Sequence, residues 1–240
     1  MTVKVEFFFD VISPYSYLAW KTLCAYQEQW RLDIVFRPIF LPGLILGSGN
    51  TPPAQLPQRA SFIDNDIKRT IKWYGLEGIC RGVPLNMFSG ATKDTVTLQR
   101  LLSLAAMHPS VSESVRVALV DLSFRSNWED GSRRDHLNNL QPIDQKTLRS
   151  ICIAAGVSDG VTDELLSNMA IEGKRVLKEN TDSSISRGLF GVPSFVIHAD
   201  DVGAPSSTMN FVVFGSDRFE QIAFLLGKRW LGPCPAACKL

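Results

Sequence analysis

Residues 7–20 read FFFDVISPYSYLAW, a hydrophobic strand that runs directly into the start of a helix. The segment from Val3 to Phe9 is rich in β-branched and aromatic residues, which is typical of a buried strand. We expect Ser13 to cap the helix, and Pro14 suits its first position because the N–H that proline lacks would have no partner there. The Ser13 hydroxyl would then lie at the positive end of a helix dipole, where an anion is stabilised.

Residues 13–16 read Ser-Pro-Tyr-Ser. In thioredoxin-like folds the reactive cysteine of a Cys-x-x-Cys motif occupies the first of these positions, and the helix start stabilises its thiolate. This chain keeps the pattern without a thiol of its own, which implies that the sulfur arrives on a ligand. The alternative is that Ser13 and Pro14 form only an ordinary helix start.

Composition bounds the class of protein. The chain has 240 residues, of which 45% are hydrophobic and 20% are charged. This length and composition suffice for one large domain, or for two closely packed domains, with a substantial hydrophobic core. A net charge of +1 favours neither a nucleic-acid partner nor a membrane surface. No apolar run approaches the roughly 18–20 residues needed to span a bilayer, so we expect no membrane insertion.

The cysteines are scattered and odd in number, and they form no Cys-x-x-Cys motif. A zinc site needs about four ligands, and Cys234 and Cys238 supply only two. The three histidines do not have the spacing typical of metal ligands. The pattern predicts a reduced, intracellular protein without a metal. His198 follows an apolar strand, which favours a structural role. The five cysteines are Cys24, Cys80, Cys152, Cys234 and Cys238.

The predicted elements give an α/β fold, a thioredoxin-like fold with a large all-helical insertion. Strand, helix and strand over 3–9, 14–30 and 33–38 favour a parallel pair. Proline and glycine punctuate residues 40–57, which predicts a long loop. Residues 60–180 look helical, and strands at 191–197 and 210–214 precede a last helix that starts at 215–218. Residues 1–45 and 185–240 would form the thioredoxin-like domain, with 46–184 as the inserted helical domain.

Two further stretches point to the same ligand. Pro193 precedes a strand at the position where thioredoxin-like folds hold a cis-proline, so the Val192 backbone could pair with a peptide-like ligand; the alternative is a trans proline at the strand entrance. Ser216 or Asp217 is a natural N-cap for the last helix, where free N–H groups suit a carboxylate, and an aspartate could bind an ammonium. Glutathione carries the thiol, the peptide backbone, the carboxylate and the amino group that these sites require.

The chain resembles the kappa-class glutathione transferases over nearly its full length. Bacterial 2-hydroxychromene-2-carboxylate isomerases share the fold and are close relatives. The motifs that carry the resemblance are FDVISPYSY at 9–17, SGNTPP at 48–53, LPQR at 56–59, FGVP at 190–193, FGSDR at 214–218 and LLGxxWxGP at 225–233.

The resemblance implies a homodimeric glutathione transferase whose thioredoxin-like domain binds glutathione as co-substrate, together with a small electrophilic substrate. Ser13 would be the catalytic residue, donating a hydrogen bond to the glutathione sulfur. Arg59 stands where relatives can carry lysine and could reach a ligand carboxylate, and Val192 stands where relatives often have leucine, although the expected contact is its backbone. The residues expected to contact glutathione are Ser13, Pro14, Tyr15, Asn50, Val192, Ser216 and Asp217.

The expected mechanism is a lowering of the thiol pKa. A free thiol with a pKa of about 8.5 is mostly protonated at neutral pH, whereas Ser13 and the helix end favour the thiolate. The thiolate would attack an electrophilic carbon or reduce a peroxide. Three alternatives remain open: a glutathione-dependent 2-hydroxychromene-2-carboxylate isomerase, a protein-disulfide oxidoreductase, which the absence of cysteine at 13 and 16 disfavours, and a non-catalytic binding module.

The last three residues, Cys238-Lys239-Leu240, resemble the Ser-Lys-Leu peroxisomal address. We therefore expect the protein in peroxisomes. The family resemblance adds mitochondria as a second location, although no amphipathic leader precedes the first strand.

Overall fold

The computed structural model describes residues 2–87, 92–198, 201, 203 and 210–235. The strands are β1 (Val3–Phe9), β2 (Leu32–Pro38), β3 (Ser194–Ile197) and β4 (Phe211–Phe214). The helices are α1 (Pro14–Trp30), α2 (Leu41–Gly47), α3 (Pro57–Trp73), α4 (Thr92–Met107), α5 (Glu113–Trp128), α6 (Gln145–Ala154), α7 (Asp159–Asn168), α8 (Lys174–Ser186) and α9 (Phe219–Leu225). A 3₁₀ turn spans Pro53–Gln55, and a π-helical turn over Met169–Gly173 joins α7 to α8.

The four strands form one mixed sheet in the order β2-β1-β3-β4. The β1 and β2 strands are parallel because α1 returns the chain to the same end of the sheet, while β3 is antiparallel to both β1 and β4. The predicted order of elements is confirmed: strand–helix–strand, then a helical region, then two strands and a helix.

An aromatic cluster joins the sheet to the helices on one of its faces. Phe7 of β1 stacks on Phe195 of β3, with ring centroids 5.5 Å apart, and Phe9 lies 5.5 Å from Phe124 of α5. Trp20 of α1 packs against the same rings. Aromatic pairs of this kind add to the free energy gained by burial. The sheet and the inserted helices therefore share one apolar core.

Residues 40–57, which we expected to form a loop, contain α2 and the 3₁₀ turn, so that prediction is wrong in part. Leu44 is fully buried against Phe8 and Val196 beneath the sheet. Pro42 lies in the first turn, where a proline costs no helical hydrogen bond. The predicted boundary at 45/46 falls inside α2, and the boundary at 184/185 falls inside α8.

Within the stretch 60–180 that the sequence predicts as helical, the π-helical turn separates α7 from α8. Gly173 ends that turn, and a Cβ there would lie 3.1 Å from the Cβ of Arg100 and 3.3 Å from its carbonyl oxygen. Glycine thus lets α4 approach closely at this point. No helix in the described part of the chain is long and apolar enough to cross a membrane.

Candidate functional site

Ser13 lies at the junction of β1 and α1, where the sequence placed it. It occupies the N-cap position in an extended conformation, its Oγ accepts the N–H of Ser16 at 3.2 Å, and Pro14 begins the helix. The predicted cap is therefore confirmed. The hydroxyl hydrogen of Ser13 has no acceptor within the described residues, so it remains available for an anion at the helix start. We refer to residues 10–13 as the Ser13 loop.

Tyr15 also lies at this helix start, but its hydroxyl is already engaged. It donates to Asp66 Oδ2 of α3 at 2.9 Å, and Arg69 of α3 contacts the other oxygen of Asp66 at 3.2 Å. Burial, followed by the hydrogen bond to Asp66, raises the pKa of Tyr15 well above its usual range. Tyr15 therefore stays protonated and pointed at α3, which leaves Ser13 as the hydroxyl available to a sulfur.

The peptide bond between Val192 and Pro193 is cis, which excludes the trans alternative left open by the sequence. The carbonyl of Pro193 accepts the N–H of Gly215 at 2.9 Å, which fastens this turn to the end of β4. Gly191 accommodates the ring of Phe214, since a Cβ on Gly191 would lie 2.8 Å from it. Val192 is thus held beside the turn at 215–217.

The expectation that Ser216 or Asp217 caps the last helix is wrong. The α9 helix starts at Phe219, its N-cap position is Arg218, and no side chain bonds to its first N–H groups. Gly215 has a φ of +105° and the Asp217 carboxylate folds back over it, where a Cβ would collide with that carboxylate. The Asp217 side chain remains exposed, and its Oδ2 lies 3.6 Å from the guanidinium of Arg218.

A single groove of about 670 Å³ brings several predicted residues together. Tyr15, Val192, Ser216 and Asp217 all line it, together with Pro193. Its volume is within the range of small-molecule sites. The remaining lining includes Asp66, Arg69, Thr70 and the aromatic residues Phe62, Trp73, Tyr74 and Phe214.

Four predicted residues lie outside the lining of this groove. Ser13 and Pro14 are buried at the start of α1. Asn50 donates from Nδ2 to the carbonyl of Phe190 at 2.9 Å, so its side chain fixes the loop that leads to Val192. Arg59 is exposed on α3.

The groove residues on α3 were missed by the sequence reasoning. Phe62, Asp66, Arg69 and Trp73 recur at spacings of three and four, so they share one face of the helix. That face turns toward the ligand side instead of the core, which is why Phe62 and Trp73 are exposed. Aromatic and charged residues that alternate at this helical spacing are the sequence signal that could have identified this face.

Asp10, at the start of the Ser13 loop, is a second functional candidate that the sequence reasoning missed. Its carboxylate is fully buried and accepts the N–H of Leu41 at 3.0 Å and that of Ile12 at 3.2 Å. Burial raises the pKa of Asp10 to about 6, against the partial compensation of these two hydrogen bonds. The carboxylate ties the loop to the start of α2.

His198, Cys24, Cys80, Cys152 and Cys234 do not line the groove. His198 lies 3.2 Å from Glu6 in a cluster with Arg37 and Arg187, which fits the structural role expected of it. The four described cysteines form no disulfide with one another, and Cys238 lies outside the described residues. Within the described ranges no group of three His, Cys, Asp or Glu side chains is arranged to hold a metal.

The sequence and fold of the chain are similar to those of known thioredoxin-like proteins. The model of the DsbA-like thioredoxin domain matches residues 4–227. Glutathione S-transferase kappa 1 of Rattus norvegicus is 32% identical over 234 residues, which cover 96% of this chain and 94% of that protein. The 2-hydroxychromene-2-carboxylate isomerase of Pseudomonas putida is 27% identical over 80% of this chain and 84% of its own length. A solved structure of a 2-hydroxychromene-2-carboxylate isomerase superposes with a TM-score of 0.68 at 22% identity, covering 93% of this chain and 94% of that one, which shows the shared fold.

The raised pKa of Asp10 predicts how stability depends on pH. A carboxyl whose pKa rises from 3.8 unfolded to about 6 folded binds its proton more tightly in the native state. Its favourable contribution is complete below about pH 3.8 and is lost as the pH rises through about 6. Replacing it by Asp10→Asn removes this titration. The unfolding free energy of the wild type relative to the variant should therefore fall by about 2 kcal/mol between pH 4 and pH 7.

Urea unfolding of both proteins across this pH range measures that difference. A constant difference would show that Asp10 titrates in the folded protein as it does in the unfolded chain.

Proposed function

Because this chain belongs to the kappa-class glutathione transferases within the DsbA-like thioredoxin family, we propose that it binds glutathione in the groove and stabilises the glutathione sulfur as a thiolate through Ser13. The observation that carries the proposal is the Ser13 hydroxyl at the start of α1, free to donate, at the position where a thioredoxin-like protein holds its own thiolate. None of the four described cysteines lines the groove, which supports a sulfur that comes with the ligand.

The electrostatic effect at the helix start has the sign that this function needs. A hydrogen bond from Ser13 and the N-terminal end of α1 both favour the charged form of the sulfur, which lowers the thiol pKa from about 8.5 toward neutral pH. Tyr15 does not compete for this role because its hydroxyl donates to Asp66. The protein thus contributes ionisation and orientation, while glutathione supplies the nucleophile.

The walls of the groove offer partners for the rest of glutathione. The backbone of Val192 can pair with the cysteinyl part of the ligand in the manner of an added strand. Asp217, exposed at the rim, suits the ammonium of the γ-glutamyl group, and the Ser216 hydroxyl can donate to its carboxylate. Since α9 starts only at Phe219, this recognition rests on side chains and on the turn instead of on a helix end. Asn50 then acts by holding the loop before Val192.

The chemistry we propose is transfer of the glutathione sulfur to small electrophiles, which removes reactive compounds from the cell. The thiolate forms a bond to the electrophilic carbon, the leaving group departs with its electron pair, and the thiol proton has already gone to solvent. With a hydroperoxide, two glutathione molecules are oxidised to the disulfide while the peroxide is reduced to an alcohol and water. Phe62, Trp73 and Phe214 give the groove an apolar wall suited to an aromatic electrophile.

A glutathione-dependent isomerase of 2-hydroxychromene-2-carboxylate is the second candidate. It is supported by the relative from Pseudomonas putida and would use the same groove. The higher identity and longer coverage of the match to the kappa transferase favour the transferase. Assays of one preparation with a chloro-nitroaromatic compound, a hydroperoxide and the chromene acid, each with and without glutathione, separate the two.

Replacing the proposed catalytic hydroxyl tests the function directly. Ser13→Ala should lower kcat by roughly ten- to a hundredfold, because a charge-assisted hydrogen bond to the thiolate contributes about 1.5–3 kcal/mol. The pH profile of kcat should move to higher pH, since the bound thiol becomes harder to ionise. Steady-state kinetics between pH 6 and pH 9 measure both effects, and full activity at neutral pH would remove Ser13 as the catalytic residue.

Asp217→Ala is the matched comparison, because Asp217 would contact glutathione far from the sulfur. It should raise the KM for glutathione and leave the pH profile in place. The melting temperature should stay close to that of the wild type, since Asp217 caps no helix. An unchanged KM would exclude Asp217 from the binding site.

We also propose that the protein is a homodimer, as the family resemblance implies. Phe190 lies outside the lining of the groove, packs against Phe214 with ring centroids 4.7 Å apart and exposes 45% of its surface, an apolar area that a second copy could cover. Light scattering at micromolar concentration should give twice the chain mass of 26.6 kDa. Phe190→Glu should shift the population toward monomer, and a monomeric mass for the wild type would overturn the proposal.

The cellular location we propose is the peroxisome, through Cys238-Lys239-Leu240, which lies outside the described residues. Gly232, Pro233 and Pro235 precede this tail and disfavour a helix there. A fluorescent protein fused to the N-terminus should label peroxisomes, and deleting the last three residues should disperse the signal. Diffuse or purely mitochondrial fluorescence that survives the deletion would contradict the peroxisomal address.

A further inference from the structure

The Ser13 loop is buried, and the inserted helices supply several of its hydrogen-bond partners. Residues 9–13 expose 4% of their surface or less. The backbone N–H of Ile39 donates to the carbonyl of Phe9, and the backbone N–H of Ser13 donates to the carbonyl of Asp10, both at 3.0 Å. Backbone polar groups without water need protein partners, because an unpaired buried group costs about 1–3 kcal/mol.

Gln99 of α4 makes three hydrogen bonds at and beside the Ser13 loop with one side chain. Its Nε2 donates to the carbonyls of Phe9 and Ile39, both at 2.8 Å, and its Oε1 accepts the N–H of Val11 at 3.4 Å. Gln99 is completely buried. It therefore spans the ends of β1 and β2 and the second residue of the Ser13 loop.

Two side chains of α5 hold the same loop from its other side. Trp128 Nε1 donates to the carbonyl of Val11 at 2.9 Å, and Asn127 Nδ2 donates to the same oxygen at 3.1 Å. Asn127 is itself fixed by Arg133, whose guanidinium donates to its side-chain oxygen. Both polar groups of Val11, two residues before Ser13, are thus bound by side chains of the inserted helices.

We propose that Gln99, Asn127 and Trp128, here called the interior clamp, are positioning residues through which the inserted helices place the Ser13 hydroxyl against the glutathione sulfur. This inference rests on the proposed function. The clamp residues do not touch the ligand groove, so they act through the backbone of the Ser13 loop.

The physical reason is the precision that a charge-assisted hydrogen bond demands. A reacting constellation has to be held within about 0.5 Å, and a misplacement of about 1 Å can lower the rate about a hundredfold. Glutathione binding depends on other elements, namely the turn at Val192 and the turn at Asp217. A displaced loop should therefore weaken ionisation of the thiol more than it weakens binding.

Gln99→Met tests the clamp most directly, because methionine keeps the length of the side chain and removes every polar contact. The pKa of the bound glutathione thiol, followed by the ultraviolet absorbance of the thiolate, should rise by about half to one pH unit. The kcat should fall about tenfold, while the KM for glutathione should stay within about twofold. Trp128→Phe removes one donor to Val11 and keeps a ring, and it should give a smaller rise in the same thiol pKa.

Asn180→Ala is the matched control for loss of stability. Asn180 of α8 donates from Nδ2 to the carbonyl of Pro38 at 3.1 Å, so it also holds the end of β2 but has no contact with the Ser13 loop. It should lower the melting temperature and leave the thiol pKa at the wild-type value. A rise in the thiol pKa that tracks the melting temperature across all three variants would mean a structural role only, which overturns the proposal.

The remaining outcomes separate the clamp from the proposed function. If the wild type does not lower the pKa of bound glutathione, the proposed function fails and the clamp with it. If the wild type lowers it and folded Gln99→Met lowers it equally, only the clamp is wrong. If Gln99→Met does not fold, Trp128→Phe decides, and a wild-type thiol pKa in that variant overturns the proposal.

Discussion

The end of β1 lies inside the protein, and this burial forces each backbone group of the Ser13 loop to find a protein partner. A strand that ended at the surface could leave its last N–H and carbonyl groups to water. Here Gln99, Asn127 and Trp128 bind both polar groups of Val11, and the buried carboxylate of Asp10 accepts the N–H of Ile12. The start of α1, where an anion is favoured, is therefore preceded by residues that buried hydrogen bonds hold in place.

Serine at the helix start changes what the fold can do without changing its geometry. A cysteine there would be the nucleophile itself and would cycle between thiol and disulfide. A hydroxyl cannot act as that nucleophile, so under the proposed function it would donate a hydrogen bond to a sulfur that the ligand brings. The hydrogen bond from the Tyr15 hydroxyl to Asp66 fits this arrangement. It occupies a phenol that could compete with Ser13, and it connects α1 to α3.

The parts of this structure that the sequence predicts are those with local causes. The β1–α1 junction follows from a hydrophobic run, a capping serine and a proline, all within a few residues. The α2 helix was not predicted, because seven residues rich in glycine and proline become helical only when Leu44 is buried under Phe8 and Asp10 accepts the N–H of Leu41. The turn at 215–218 has the composition of a helix cap, but the left-handed backbone at Gly215 delays the helix to Phe219. Gln99 carries no local signal at all, since a glutamine in an amphipathic helix is ordinary until the fold places two carbonyl oxygens beside it.

The buried carboxylate of Asp10 and the buried amide of Gln99 both bind backbone groups around the Ser13 loop, but they differ in the free energy of burial. Burying an ionised carboxylate is unfavourable, which is the cause of its raised pKa, whereas a neutral amide with three hydrogen bonds carries no such penalty. The loop nevertheless needs the carboxylate, because the N–H groups of Ile12 and Leu41 both point inward and require acceptors, and an amide offers only one acceptor atom. Donors and acceptors of the buried backbone thus dictate which side chain stands at each place: an amide where carbonyls converge, a carboxylate where N–H groups converge. Ser13 follows these anchored residues directly, and its Oγ accepts the N–H of Ser16 at the start of α1.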